Sequence, residues 1–434
     1  MPNLETKEVK LPTSTGVVII GGGVAGVTAA LFLQEAGIQT VLCEKGSIAG
    51  EQSSRNWGWI RKQGRALEEL PLMIESVQLW ERIAAELDED IGFRKGGSTY
   101  LASNTEELEG QANWLESAQG LGLDTQLLNA TQTAKLLDRD EGKFIGAMHT
   151  PSDAYAEPAL AVPAIARLVK EKGGTLLEGT AVRSLLRETG EIRGVITEHG
   201  PIRADGVILA GGIWSRTFLE NENVSFPQLA IRSSALRTTS APTIATSTFG
   251  APGASIRQRM DGGYTIGRVG AAGFDIIPAS LRHLRTFLPL VKDRWSILKL
   301  TLGSEFFGPL GYQRWSADEA SPFERVRTMN PEPDAQLLDD VMQSARTLYP
   351  QLSQSRIAES WAGMIDVMPD EIATVGTWPE LPGLVVATGL SGHGFGLGPA
   401  VGKLAAELIS GATPMAGADR MSPLRFKSAK AQRV

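Results

Sequence analysis

Three glycines and one glutamate have the types and the spacing needed to bind a dinucleotide. Gly21, Gly23 and Gly26 stand in the order G-x-G-x-x-G, and Glu44 follows them by roughly 20 residues. Glycines at these positions permit a tight turn, let backbone approach a pyrophosphate, and let a helix pack closely on a strand. A carboxylate at this distance can accept hydrogen bonds from ribose hydroxyls. The spacing therefore predicts a bound dinucleotide.

The residues around this motif predict the strand–helix–strand unit that would position it. The run VVII before the glycines is apolar and β-branched, residues 24–36 have the character of a helix, and residues 40–43 form a second apolar run. Val24 and Ala25 then lie at the helix N-terminus, where free N–H groups face the phosphates. Residues 17–33 are also nearly long enough to span a bilayer. The consecutive glycines and the β-branched start favour the strand–helix unit instead.

Charge and cysteine content exclude several classes of protein. The net charge of −7 and the lack of a basic stripe argue against nucleic acid as a partner. The single cysteine, Cys43, excludes an internal disulfide and a cysteine-based metal cluster, and no metal site is predicted. The first fifteen residues are polar and lack the apolar stretch of a signal peptide. We therefore expect a cytoplasmic protein with no transmembrane segment.

Two later segments repeat the nucleotide-binding pattern. The first ends in a buried strand at 204–209 that closes on Ala210 and Gly211. The second has a strand at 384–387 and a glycine-rich loop at 388–398, followed by a helix at 399–409 with proline in its first turn. One domain is therefore expected to be assembled from separated pieces of the chain.

The intervening segments differ in character. Amphipathic helices are predicted at 67–90 and 105–120, a further helix at 279–300, and alternating strands such as 263–268. The fold class predicted is α/β, with a discontinuous Rossmann-like domain, plus an α+β substrate domain that contains an antiparallel sheet. The first domain is predicted to comprise residues 1–90, 150–220 and 370–434, and the second residues 91–149 and 221–369.

Four motifs make the resemblance to a known family specific: GGGVAG with Glu44, ILAGGIWS, WAGMIDVMPDEIATVG at 361–376, and GLSGHGFGLGPAVGKLAAELI. With them the chain resembles, over nearly its whole length, the flavin-dependent amine and amino-acid oxidoreductases of the D-amino-acid oxidase superfamily. That superfamily includes sarcosine oxidase, glycine oxidase, D-amino-acid dehydrogenase and γ-glutamylputrescine oxidoreductase. The resemblance implies that the dinucleotide is FAD. It also implies that a C–N bond of an amine or amino acid is oxidised by hydride transfer to flavin N5, giving an imine that hydrolyses to a carbonyl.

The resemblance also assigns residues to the cofactor. In the family a C-terminal Gly-His-Gly loop and helix close over the flavin ring, where glycines avoid side-chain clashes and a helix N-terminus favours the negative charge of the reduced ring. Here that element supplies Gly389, Ser391, Gly392, His393, Gly394, Phe395 and Gly396. The other residues assigned in this way are Lys45, Ser53, Ser54, Arg55, Asn56, Trp57, Gly58, Val182, Ala210, Gly211 and Trp214.

The sequence patterns that select residues for catalysis and substrate binding are less specific than those that select the cofactor residues. His393, Trp57 and Arg61 are the candidate catalytic residues. Arginines are natural clamps for a substrate carboxylate, and the candidates are Arg61, Arg232, Arg257 and Arg268. An aromatic wall suited to an amine is predicted from Trp59, Tyr264, Tyr312 and Trp361.

Two departures from the sarcosine oxidases bear on the electron acceptor, which could be oxygen, a quinone or an electron-transfer protein. Gly396 stands where those enzymes have a lysine near the flavin, and the strand GGYTIGRVG contains no lysine. Both absences predict a slow reaction with oxygen. Cys43 is misplaced for a covalent flavin link, so non-covalent FAD is predicted. Two alternatives stay open at this point: an NAD(P)-linked dehydrogenase, and a non-catalytic electron-carrying flavoprotein subunit.

Overall fold

A computed structural model describes residues 10–138 and 142–426. The predicted domain limits at residues 1–9 and 427–434 lie outside the described residues. The helices are α1 Val24–Glu35, α2 Gln52–Arg55, α3 Leu70–Glu86, α4 Thr105–Ser117, α5 Ala130–Leu136, α6 Pro158–Glu171, α7 Ser215–Asn221, α8 Pro278–Arg282, α9 Leu284–Arg294, α10 Pro322–Arg325, α11 Ala335–Leu348 and α12 Gly394–Ser410.

The strands form two large sheets and one two-stranded ribbon. They are β1 Ser14–Ile20, β2 Thr40–Cys43, β3 Trp59–Ile60, β4 Ser98–Ala102, β5 Gln126–Asn129, β6 Gly146–Thr150, β7 Ala154–Tyr155, β8 Thr175–Leu177, β9 Val182–Glu188, β10 Glu191–Thr197, β11 Gly200–Leu209, β12 Leu229–Thr238, β13 Thr248–Ala251, β14 Ala254–Gln258, β15 Tyr264–Gly267, β16 Ala272–Asp275, β17 Leu298–Thr301, β18 Ile357–Val367, β19 Thr374–Thr377 and β20 Leu384–Thr388.

The first sheet joins distant parts of the chain, as expected for a Rossmann-like domain. Its strands run in the order β19-β20-β11-β1-β2-β8, with the β9–β10 hairpin attached beside β11. The pairings β20–β11, β11–β1, β1–β2 and β2–β8 are parallel, and Val18 of β1 lies opposite Val207 of β11. Parallel strands place their carboxyl ends at one edge, which is where such sheets bind ligands. The glycine motif, Glu44 and Ala210 all follow strands that end at this edge.

The second sheet is mainly antiparallel and carries its own core. Its order is β17-β16-β12-β15-β14-β13-β4-β6-β5, with β18 paired to β12, and only β13–β4 and β16–β17 are parallel among its described pairings. Helix α11 packs against one face through Leu338, Val341 and Ala345, which are buried with Phe249 and Ile266 of the sheet. The fold class predicted from the sequence is confirmed, whereas the residue limits of the two domains stay a prediction.

The predicted helix at 279–300 is corrected by the structure. Two short helices, α8 and α9, are separated at His283, and the segment ends in strand β17. Leu298 and Leu300 pair in parallel register with Ala272 and Phe274. The backbone of 298–301 therefore forms ladder hydrogen bonds that the apolar spacing did not predict.

The C-terminal helix begins five residues earlier than the sequence predicted, at Gly394 instead of Pro399. Proline within a helix leaves the carbonyl four residues before it without its usual donor. Trp80 Nε1 lies 3.1 Å from the Phe395 carbonyl oxygen, and Ser76 Oγ donates to the Gly396 oxygen at 2.6 Å. Side chains of α3 thus replace the missing donor and allow the helix to continue through Pro399. No helix in the described ranges is both long enough and apolar enough to cross a membrane.

Candidate active site

A cavity of about 850 Å³ lies where the carboxyl edge of the first sheet faces the second sheet. Ile20, Leu209 and Ala387 contribute from the first sheet, and Ile231 and Ile365 from strands β12 and β18. Its size falls in the roughly 300–1,000 Å³ range of ligand sites. The predicted cofactor residues that line it are Gly21, Gly23, Val24, Ala25, Glu44, Lys45, Ser53, Arg55, Asn56, Trp57, Val182, Ala210, Gly211, Trp214, Ser391, Gly392, His393, Gly394, Phe395 and Gly396.

The glycine turn and Glu44 form a rigid cradle. Glu44 accepts hydrogen bonds from the backbone N–H groups of Gly22 and Gly46, each at 2.7 Å. Burial raises the pKa of Glu44, and these two donors oppose the shift only in part. A Cβ at Gly26 would lie 2.0 Å from the Gly21 carbonyl oxygen, so the helix can approach the strand only because this residue is glycine. A cradle of this form fits the pyrophosphate and ribose of FAD.

Hydrogen bonds within the protein hold the loop after the cradle, and they engage the donors of Lys45, one of the predicted cofactor residues. Lys45 Nζ donates to Glu51 at 2.8 Å and to the carbonyl oxygens of Val326 and Arg327 at 2.9 and 2.8 Å. An ammonium has three N–H donors. Lys45, predicted to contact the cofactor, thus has all its donors engaged within the protein, and Glu51 balances its charge. Glu51 also accepts from Trp214 Nε1 at 3.1 Å.

Four more predicted cofactor residues stand behind the cavity lining: Gly26, Ser54, Gly58 and Gly389. Ser54 Oγ donates to the Glu51 carbonyl oxygen at 3.2 Å, and Gly58 turns beneath the Arg257 guanidinium with a φ of +79°. These residues set the backbone conformation of the neighbouring residues that line the cavity.

The C-terminal loop is fixed by a buried carboxylate that was not among the residues predicted from the sequence. Asp366 Oδ2 accepts from the N–H groups of Gly389 at 2.8 Å and Leu390 at 3.2 Å, and from Gln228 Nε2 at 3.1 Å. Burial raises the pKa of Asp366 in spite of these donors. The loop then turns through left-handed backbone at Gly389, Ser391 and Gly392, and α12 begins directly at the cavity wall. Its N-terminus can stabilise negative charge on a ring placed there.

His393, the residue before α12, is paired with a buried glutamate. Its Nδ1 lies 2.9 Å from Glu69 Oε2, and Glu69 Oε1 accepts from the Ala373 N–H at 2.9 Å. Burial alone would raise the pKa of Glu69, but the hydrogen bond and charge of His393 and the charge of Arg65 outweigh it and lower that pKa. For His393, burial and the Arg65 charge lower the pKa, and Glu69 offsets only part of the shift.

Two arginines stand beside this pair. Arg61 lines the cavity with its guanidinium carbon 5.2 Å from the Tyr100 ring centroid and 5.9 Å from that of Trp59. Arg65, which the sequence analysis missed, also lines the cavity, although it is only 5% exposed. Burial and the neighbouring Arg61 charge lower the pKa of Arg65 to about 9.

Buried donors at this wall have no acceptor among the described residues. These atoms are Arg65 Nη1 and Trp59 Nε1. Both residues line the cavity, with these two atoms buried within its wall. Two guanidinium groups at one wall favour an anion as the ligand of this cavity.

Three of the five residues predicted to contact substrate do not line the cavity. Tyr264 is buried against α11, and its hydroxyl lies 2.9 Å from the Ile244 nitrogen and 3.1 Å from the Pro242 oxygen. Tyr312 is 54% exposed between two arginines, and Trp361 donates to the Arg55 carbonyl oxygen at 2.8 Å. Strand alternation explains Tyr264, since it faces the opposite side of β15 from Gly267, which touches Trp57. The aromatic rings that line the cavity include the predicted Trp59, with Trp57, whose ring centroid lies 5.9 Å from it, and Tyr100.

The four candidate carboxylate clamps also separate. Arg257 is fully buried in a two-pronged ion pair with Glu157, at 2.9 Å for each nitrogen, and donates to the Trp57 carbonyl oxygen. Arg232 lies against Gly273 of β16, outside the lining. Arg268 belongs to the lining, but one of its guanidinium nitrogens lies near Gly253, on the side of the sheet that carries α11. Arg61 and Arg268 are the two of the four that line the cavity, and Arg61 lies beside Tyr100 and Trp59 with its Nη1 donating to the Gln63 carbonyl oxygen.

Comparisons with known proteins place the chain in one family. A family model described as DAO, FAD dependent oxidoreductase, matches residues 16–408. The chain is 24% identical over 424 residues to 4-methylaminobutanoate oxidase (formaldehyde-forming) of Paenarthrobacter nicotinovorans, with 96% of this chain and 46% of the relative covered. The match covers about half the length of this relative and of the sarcosine oxidase and sarcosine dehydrogenase chains that also match.

Two solved structures match along almost their entire length. One is an L-amino acid deaminase from Proteus myxofaciens in complex with anthranilate, at 29% identity and a TM-score of 0.91, covering 96% of this chain and 94% of the other. The second is the L-amino acid deaminase from Proteus vulgaris, at 27% identity and a TM-score of 0.91, covering 98% and 100%.

Proposed function

This chain belongs to the DAO family of FAD dependent oxidoreductases, and on that premise we propose that it oxidises the C–N bond of an amino acid. The observation that carries the proposal is the wall of the cavity formed by Arg61, Arg65 and His393, next to a cradle that fits FAD. The NAD(P)-linked alternative is set aside because the family uses FAD.

The charges of the site support a carboxylate on the substrate. Arg61 and Arg65 repel one another at this wall, and Glu69 has both oxygens bonded to His393 and Ala373. A substrate carboxylate would neutralise the excess positive charge at this wall. The relatives support the same class by name, since 4-methylaminobutanoate and the L-amino acids of the deaminases carry both an amine and a carboxylate.

The residues of the chain then hold the substrate and exclude water. Arg61 binds the carboxylate, and Trp57, Trp59 and Tyr100 enclose the apolar part of the molecule. FAD, when bound, supplies the acceptor for the hydride that leaves the substrate carbon. The N-terminus of α12 stabilises negative charge beside it. The imine product hydrolyses to a carbonyl compound and an amine. Reduction of the bound flavin by an amino acid without oxygen tests this function.

We further propose that oxygen is a poor electron acceptor for this protein. Gly396, in the element that closes over the flavin, stands where sarcosine oxidases have a lysine, and a Cβ there would require the Met73 methyl carbon, 3.1 Å away, to shift. Among the described residues, Lys45 is the one lysine that lines the cavity, and its three N–H donors are engaged by Glu51 and two backbone carbonyl oxygens. After reduction by substrate, a quinone or an artificial dye should re-oxidise the flavin much faster than air-saturated buffer does. Rapid peroxide production in stopped-flow mixing with oxygen would contradict this.

A further inference from the structure

The pairing of Glu69 with His393 fixes the hydrogen positions of the imidazole. Glu69 is completely buried, and its second oxygen is occupied by the Ala373 N–H. The carboxylate therefore has one orientation and acts only as an acceptor towards His393 Nδ1. In the neutral ring the hydrogen must lie on Nδ1, which leaves Nε2 with a free lone pair.

The free nitrogen belongs to a side chain at the cavity wall. His393 lines the cavity, and its side chain keeps 22% of its surface exposed. Within the described part of the chain, no hydrogen bond reaches Nε2. This nitrogen is thus available to a molecule that occupies the cavity.

Burial and the charged groups around His393 together favour the neutral imidazole before the proton transfer. They are Arg61 and Arg65 from the segment after β3, and Glu69 at the start of α3. Burial and the two guanidinium charges lower the pKa of His393 from its usual value, and Glu69 opposes this. A neutral imidazole with a carboxylate behind it can accept a proton and is stabilised once it becomes a cation.

We propose that His393 Nε2 takes the proton from the substrate ammonium, and that Glu69 is the positioning residue that presents this nitrogen. The inference rests on the proposed function, because it requires an amine substrate. An ammonium nitrogen has no lone pair to support departure of a hydride from the adjacent carbon. In the step, one N–H bond of the ammonium breaks, its electron pair stays on the substrate nitrogen, and the proton binds Nε2. Deprotonated Glu69 balances the imidazolium until the proton leaves to solvent.

Two variants test the step by their pH dependence. In His393→Asn the base is gone, and the rate constant for anaerobic flavin reduction at pH 7 should fall by roughly 100-fold or more. The rate should recover as the pH is raised towards the pKa of the substrate amine, since the free amine then needs no base. His199→Asn is the matched control, because His199 lies in the exposed turn between β10 and β11 and should leave the profile unchanged.

Glu69→Gln should mimic the loss of the base for a different reason. The Ala373 N–H still requires an acceptor, so the new amide directs its oxygen to Ala373 and its NH₂ group to His393 Nδ1. The hydrogen of the imidazole then moves to Nε2, which can no longer accept a proton. We expect the same loss at pH 7 and the same recovery at high pH as for His393→Asn.

Nitrogen NMR of the FAD-bound protein with labelled histidine reports the hydrogen positions without any turnover. Nε2 of His393 should lack hydrogen in the wild type, and Nδ1 should lack it in Glu69→Gln. A wild-type ring with hydrogen on Nε2 would overturn the proposal. So would an unchanged pH profile for His393→Asn in a protein whose wild type is reduced by an amine. If no amine reduces the wild type, the proposed function itself fails, and the proton acceptor fails with it.

Discussion

Gly26→Val is expected to yield a protein that has lost its FAD. The new Cβ would lie 2.0 Å from the Gly21 carbonyl oxygen and 3.2 Å from its carbon. Both partners are backbone atoms, so the start of α1 must move away from the end of β1 and the phosphate cradle opens. Apparent affinity for FAD should fall by at least about 100-fold, which corresponds to about 2.7 kcal/mol. Flavin absorbance per chain after gel filtration measures the loss.

Two further glycine variants separate cofactor binding from folding. In Gly110→Ala the new methyl group has nothing within 4 Å on the exposed helix α4, so FAD retention should not change. In Gly23→Ala the methyl group meets only Ser53 Oγ, at 3.1 Å, so the protein should still fold. The methyl group should, however, reduce the space in which the pyrophosphate approaches the backbone. Full flavin content in Gly26→Val would show that this turn does not hold the cofactor.

We expect Arg61→Gln to lose roughly 100-fold in kcat/KM for the amino acid substrate, because charge-assisted hydrogen bonds to a carboxylate are worth about 1.5–3 kcal/mol. Glutamine keeps a polar side chain between Tyr100 and Trp59 but removes the charge and the paired N–H donors. The decarboxylated amine of the same substrate should lose little, since it offers nothing for Arg61 to bind. Steady-state kinetics with a dye acceptor on both substrates measures the difference.

A surface arginine provides the control for this prediction. Arg193 is exposed in the β9–β10 hairpin and pairs with Glu191, so Arg193→Gln should retain both activities. Equal losses for the amino acid and the decarboxylated amine in Arg61→Gln would show that Arg61 supports the packing of the aromatic wall instead of binding a carboxylate.

The cofactor cradle could be predicted from the sequence because its parts are local. Gly21, Gly26 and Glu44 lie within one strand–helix–strand unit, and their spacing alone sets which atoms meet. The same holds for the first sheet, where β1 and β11 end in the apolar runs VVII and VIL, each followed within two residues by glycine.

The other half of the site depends on contacts between distant parts of the chain. Glu69 and His393 are 324 positions apart, and in sequence Glu69 is one of two adjacent glutamates within the predicted helix at 67–90. Asp366 fixes Gly389, 23 positions along the chain, and it also accepts from Gln228, 138 positions before it. Tyr264 lies outside the cavity lining, because β15 is buried on both faces and the run GGYTIG does not distinguish the face towards α11 from the face towards Trp57.

Anaerobic mixing of the purified protein with a panel of amino acids tests the central claim most directly. The panel should include D- and L-amino acids and N-methyl amino acids, each beside its decarboxylated amine, and polyamines. We predict that at least one carboxylate-bearing amine bleaches the flavin absorbance band, that its decarboxylated partner does so far more slowly, and that a carbonyl compound forms in equal amount with the reduced flavin. A flavin band that no amine bleaches would contradict the proposed function and would favour an electron-carrying flavoprotein without this chemistry.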